Sequence, residues 1–219
     1  MLTSKFIFYF VIQSSLKMSQ EDYLRDISEI KNLMSKSSKF ISLSGLSGIL
    51  AGIYALIGAA YAYYLVDQTE SGYLVLEGET FLLVLIDLLL VGAVSIGTAI
   101  FLTTRKASKN NEKIWDPLTR RLLLNFIIPL VAGAIYVIII LKQQRYGQTG
   151  ALMLLFYGIA LFNASKYTLG DVKYLGLTQI ILGLLSAVLP GYGFWFWVLG
   201  FGVMHIVYGT IMYFKYDRE

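Results

Sequence analysis

Few residues in this chain have the chemistry for catalysis or transport, and they sit in apolar surroundings. Asp87 interrupts the run "TFLLVLIDLLLVGAV" between Thr80 and Val94. His205, the single histidine, lies within "FGVMHIVYG". Asn125, Asn163 and Gln179 are the other polar side chains inside apolar stretches. A carboxylate and an imidazole that met in an apolar interior could relay protons or bind a cation, the chemistry of a small-solute or proton-coupled transporter. The plainer use of all five is hydrogen bonding between helices. Polar groups in hydrocarbon are costly, so they turn inward and find partners.

Other chemistry is excluded. There is no cysteine, which removes thiolate metal sites and thiol catalysis, and one histidine cannot build a multi-histidine metal site. No phosphate-binding loop, GxSxG, HExxH or dinucleotide fingerprint is present. The expectation is a chain without enzymatic activity, cofactor, metal or nucleic-acid partner.

Composition indicates what holds these residues. Hydrophobic residues make up 57% and charged residues 15%, against about 25% charged in soluble domains. This is the balance of an integral membrane protein in contact with the lipid bilayer. Six apolar runs approach the roughly 20 residues a spanning helix needs: 44–66, 81–104, 120–141, 149–165, 174–190 and 193–214. The fold class read from them is all-α, a polytopic bundle over residues 44–219.

Orientation follows from charge. The loop 105–121 carries Arg105, Lys106, Lys109, Lys113, Arg120 and Arg121, whereas 67–80 carries Asp67, Glu70, Glu77, Glu79 and no cation. The positive-inside rule puts the first loop in the cytoplasm, and counting onward puts both termini there. Of the 18 Lys and Arg residues, only Lys142 and Arg145 then fall outside. Helix 2 therefore runs inward, with Asp87 roughly 9 Å below its outer end, while His205 lies roughly 18 Å into helix 6. Direct pairing would require tilt or a bridging water. Tyr61, Tyr63, Tyr64, Tyr192, Trp195 and Trp197 mark the outer boundary, and Trp115, Tyr167, Tyr174, Tyr213 and Tyr216 the inner one.

Before the spans, 1–17 reads as an upstream extension with Met18 as the start; a signal peptide or surface anchor is the alternative for "FIFYFVI". Residues 18–43 read as a cytoplasmic amphipathic helix capped by Ser19, with Tyr23, Ile27, Ile30 and Met34 on one stripe. In "EKIWDPLTRRLLLN", Asp116 can cap and Pro117 can open helix 3. Trp115, Asp116, Arg120 and Arg121 are also the candidate inner-face docking site for anionic lipid or a partner.

The helices echo one another. "IGTAIF" (96–101), "YGIALF" (157–162) and "YGTIMY" (208–213) end the even helices; "GLSGILAG" (45–52) resembles "GLTQIILG" (176–183). Three hairpins related as parallel repeats account for this. Gly48, Gly52, Gly97, Gly158 and Gly209 are the candidate helix-packing positions, because small residues let backbones approach.

The hairpin Leu177–Tyr213, through Gly183, Pro190, Gly200 and Gly209, resembles the bacterial acid-resistance membrane-protein family. That resemblance implies six spans built from repeated hairpins. The whole of 18–219 resembles a group of uncharacterised six-span bacterial inner-membrane proteins, through "SLSGLSGILAGIYALIGA", "EKIWDPLTRRLLLN", "NASKYTLGD" and "GYGFWFWVLGFGVMHIVYGTIMYFKY". The two function classes carried forward are an accessory protein, packing against a membrane partner or as a homo-oligomer, and a transporter using Asp87 and His205 under acid or envelope stress.

Overall fold

The computed structural model describes residues 23–28, 43–68, 78–110 and 114–217. Among them the regular elements are all helical. They are α1 (Gly45–Asp67), α2 (Glu79–Lys109), α3 (Pro117–Lys142), α4 (Thr149–Ala164), α5 (Val172–Val188) and α6 (Gly193–Asp217). Short 3₁₀ turns, Tyr146–Gln148 and Ser165–Tyr167, flank α4. The chain divides into units 1–39 and 40–219. In the first, residues 23–28 are helical and expose Tyr23, Leu24 and Ile27. Ile30, Met34, the rest of the expected amphipathic helix and the 1–17 extension lie outside the described residues.

Five helices are long and apolar enough to cross a membrane: α1, α2, α3, α4 with its flanking turns, and α6. The sixth apolar helix, α5, has 17 residues, a length of roughly 25 Å against a hydrocarbon thickness of about 30 Å. The helices outrun several apolar runs because their polar ends stay helical. Thus α2 continues from the expected 104 to Lys109, its last turn holding Lys106 and Lys109, where cations suit the helix dipole. Helix α3 opens three residues before the expected 120, at Pro117, where the Thr119 amide donates to the Asp116 carboxylate at 2.6 Å.

Helix neighbours are only partly those of the hairpins. Contacts join α1 to α2 and α3 to α4, but α1 also packs along α6, and α5 packs chiefly along α4. Lipid offers no hydrophobic drive for helix association, so close approach at small residues must supply it. Between α1 and α6, a Cβ added at Gly45 would lie 2.7 Å from the Gly209 carbonyl oxygen, and one at Gly52 would lie 2.6 Å from that of Gly202. A Cβ at Gly48 would meet the Gly209 Cα at 3.2 Å. Between α5 and α4, a Cβ at Gly176 would lie 2.9 Å from the Gly158 oxygen, and one at Gly183 would lie 2.9 Å from that of Ala151.

These two seams share one register. Gly45 and Gly52 correspond to Gly176 and Gly183 in the sequence echo, and Gly209 corresponds to Gly158. Seven residues before each even-helix glycine stands the other small contact, Gly202 or Ala151. Four residues after it stands the backbone that also faces the odd helix: the Tyr213 amide by Gly45 and the Phe162 amide by Gly176. The echo thus marks equivalent antiparallel contacts between an odd and an even helix. The core at the end of the bundle where α4 and α6 finish and α5 begins lies around Leu161, Leu169, Val172, Leu175 and Met212.

Candidate functional site

The polar residues at the centre of the bundle form one cluster on three helices. His205 on α6 is buried, and its Nε2 lies 2.8 Å from the Tyr157 hydroxyl of α4. Its Nδ1 lies 2.9 Å from the Gly200 carbonyl oxygen. A carbonyl can only accept, so Nδ1 carries the hydrogen and Nε2 accepts from Tyr157. Those two bonds use both ring nitrogens of a neutral imidazole. Gln179 of α5 is fully buried, and its amide donates to the same Gly200 oxygen at 2.8 Å. Gly200 belongs to a π-helical stretch, Val198–Met204. Such wider turns are rare and recur at sites with a special task; here one backbone oxygen receives two side chains.

Aromatic rings wall the cluster. Phe201 stacks on His205 with centroids 5.8 Å apart and planes 13° apart, and Tyr157 packs on both. Trp197 continues the column outward, and Phe126 of α3 meets the Tyr157 ring edge-on. Two buried polar atoms of α5 have no hydrogen-bond partner among the described residues, Gln179 Oε1 and Ser186 Oγ, one heptad apart. They face Gly200 and Gly193 of α6: added Cβ atoms there would lie 2.5 Å and 3.7 Å away. The glycines make room for these two side chains at the α5–α6 contact.

Asp87 is elsewhere. Its carboxylate lies against Gly58 of α1, where an added Cβ would sit 3.0 Å and 3.3 Å from the two oxygens. His205 stands level with Gly48 of α1, whose added Cβ would lie 3.6 Å from the His205 carbonyl oxygen. Ten residues of α1 separate the two levels, roughly 15 Å along its axis. The expected Asp87–His205 encounter therefore does not form. The reason is topological: α2 packs on α1, whereas His205 turns toward α4. Among the described residues, Asp87 has no hydrogen-bond or ionic partner, and no group of three or more His, Asp or Glu side chains converges.

The remaining sequence candidates separate. Asn125 donates locally to the Arg121 carbonyl at 2.8 Å. The Asn163 side chain is half-buried near the end of α4, without a partner among the described residues. Trp115 is 69% exposed and Arg120 and Arg121 are exposed, while Asp116 serves as the cap. Gly48, Gly52, Gly158 and Gly209 lie in seams, but Gly97 does not: an added Cβ there would meet nothing within 4 Å.

Charge pairing concentrates at the end of the bundle where α1 and α5 begin and α2 and α6 finish. Lys106 donates to Asp217 at 2.5 Å and to the Leu43 and Tyr216 carbonyls. Asp217 also accepts from the Gly45 amide at 2.8 Å and from the Ser44 hydroxyl. Asp171 accepts from Lys215 at 2.8 Å and from Tyr216 at 2.7 Å. Burial pushes the Asp171 carboxyl up, but those two hydrogen bonds and the Lys215 charge outweigh it, holding it below the usual carboxylate range.

Sequence reasoning missed Tyr157, Lys106, Asp171 and Asp217 as partners. Tyr157 had a signal: a hydroxyl in an apolar run must find a partner when buried. The charged residues read only as orientation signals. No protein-family model, curated protein or solved structure matches the chain.

Proposed function

We propose that the chain is a non-catalytic, six-span protein of the bacterial inner membrane, with both termini cytoplasmic, that acts by packing within the bilayer as an accessory or assembly subunit. The observation that carries this reading is the closed polar cluster. Hydrogen bonds from His205 Nδ1 and the Gln179 amide to the Gly200 carbonyl, and from Tyr157 to His205 Nε2, engage both imidazole nitrogens and tie α4, α5 and α6 together. A proton path needs a chain of titratable groups, and the other intramembrane carboxylate lies roughly 15 Å further along α1. Helix α5 supports the sixth span: 17 residues is the short end of the spanning range, and Asp171 and Pro190 stand just beyond its two ends. The asymmetry between loops 105–121 and 67–80 supports the orientation. The resemblance to six-span inner-membrane proteins supports the location.

Purified protein reconstituted in vesicles with an internal pH-sensitive dye tests the function. An imposed pH gradient should decay as slowly as in empty vesicles. Protein-dependent proton flux that Asp87→Asn or His205→Gln abolishes would overturn the reading in favour of transport. For orientation, a cysteine at Val75 in this cysteine-free chain should react with a membrane-impermeant reagent from outside, and labelling only after permeabilisation would reverse it.

A further inference from the structure

We infer that the last turn of α6 is a conformational latch. Asp217 holds the finish of α2 against the start of α1, and Ser44 is the replacement cap for α1 when Asp217 lets go. This goes beyond the packing role proposed above and depends on neither a partner nor an orientation in the membrane.

The start of α1 carries the argument. Ser44 occupies the N-cap position with extended backbone. There a serine oxygen ordinarily accepts from an amide two or three residues on. That bond is not made. The hydroxyl instead donates to Asp217 Oδ2 at 3.3 Å, and the same carboxylate oxygen accepts from the Gly45 amide at 2.8 Å. The sequence thus supplies a local cap, while the fold uses a carboxylate 172 residues from Gly45. A negative charge there also meets the positive end of the helix dipole. With its hydroxyl turned to Asp217, Ser44 does not cap; released, it can.

The other Asp217 oxygen takes Lys106, from the last turn of α2, at 2.5 Å. An ammonium has three hydrogens, and the other acceptors are the Leu43 and Tyr216 carbonyls, at 3.3 Å and 3.2 Å. One lysine of α2 is thereby saturated by residues just before α1 and at the finish of α6. The two side chains are only 20% and 9% exposed, so removing either leaves its partner poorly solvated. Helix α2 has α1 as its one extended neighbour among the described residues, and this knot is what joins its finish to α6.

The adjoining residues anchor the latch from the other side. Lys215 and the Tyr216 hydroxyl reach Asp171, at the start of α5, at 2.8 Å and 2.7 Å. The turn Tyr213–Asp217 that carries all three side chains is π-helical, a wide turn that recurs at functional positions. Asp217 can therefore open while Asp171 keeps the turn fixed to α5. Opening frees the Lys106 end of α2 and leaves α1 helical under its Ser44 cap.

Hydrogen exchange of the full chain in lipid nanodiscs, read by mass spectrometry, tests this. Lys106→Met keeps the apolar stem and leaves Asp217 on Gly45. It should speed exchange of the 106–110 amides by at least about tenfold, the worth of a hydrogen bond to a charged group, and leave 49–52 unchanged. Asp217→Ala should do the same at 106–110 and still leave 49–52, whose amides close the first turns of α1, within about twofold. Ser44→Ala alone should be silent at 49–52. Added to Asp217→Ala, it should speed exchange there by about fivefold, the usual worth of a lost cap. The α4–α5 seam, 158–164 and 176–183, should not change in any variant. Unchanged exchange at 106–110 in Lys106→Met would show that no latch holds α2. A fivefold rise at 49–52 in Ser44→Ala alone would mean that Ser44 already caps, and a rise along the α4–α5 seam in Asp217→Ala would mean that Asp217 holds the whole fold; either overturns the proposal. Should Asp217→Ala fail to fold, Lys106→Met and Ser44→Ala still decide it.

Discussion

Helices α2 and α6 both run antiparallel to α1 and carry the same echo around a glycine, yet one is rim and the other is centre. Helix α6 packs along α1 and meets α4 and α5, and its glycines 200, 202 and 209 lie hard against Gln179, Leu56 and the α1 backbone. Helix α2 has α1 as its one extended neighbour among the described residues, and its two glycines face open space. The difference teaches that a glycine motif in a membrane helix marks a capacity for close approach, and that only the neighbour decides whether it is used. It also separates the polar residues: both ring nitrogens of the histidine on the central helix are engaged, whereas the carboxylate on the rim helix has no partner among the described residues.

The contrast should break most sharply at Gly209. A Cβ there would lie 2.5 Å from the Ile49 amide nitrogen, and backbone cannot yield as a flexible side chain can. Gly209→Leu should therefore cost at least about 3 kcal/mol, the upper range for overpacking, and appear as loss of folded, monodisperse protein in mild detergent. A variant as stable as the natural chain would show that the α1–α6 contact is loose. Next in size is the central cluster. Tyr157→Phe keeps the ring but leaves the His205 Nε2 buried without a donor, a cost of about 1–3 kcal/mol, to be read from thermal unfolding. An unchanged midpoint would mean that the hydrogen bond is idle.

The smallest effect is a pH dependence where α5 begins. The Asp171 carboxyl is held below its unfolded value, so its contribution is complete above about pH 4 and declines as acid carries the pH down through the folded value. Its ion pair is partly exposed, so at most about 1 kcal/mol is at stake. Asp171→Asn should make the midpoint less sensitive to acid below that pH. An identical acid profile in the variant would show that the pair contributes nothing.

Much of this architecture was legible beforehand. Apolar runs located the helices, because each must satisfy its backbone within itself when water is absent. Asp116–Pro117 announced the start of α3, since capping is a local interaction between residues three apart. The echo between 45–52 and 176–183 marked the seams before their partners were known. What stayed hidden was pairing. Nothing in the type or spacing of Gly45 says that Gly209 covers it. Depth along separate helices brought Asp87 and His205 within one and a half turns, but the rotation that turns His205 toward Tyr157 comes from packing. Lys106 and Asp217 were hidden for a related reason: a cation near a membrane boundary reads as an orientation signal whether or not it also has a specific partner.

The central claim is that α2's glycines are not spent inside the chain while those of α6 are. Thermal unfolding of Gly97→Leu in detergent, diluted until the protein is monomeric, tests it most directly. The account predicts a midpoint equal to that of the natural chain, within the roughly 0.5 kcal/mol of an ordinary surface substitution. A loss approaching that of Gly209→Leu would place Gly97 in a seam of the monomer and contradict it.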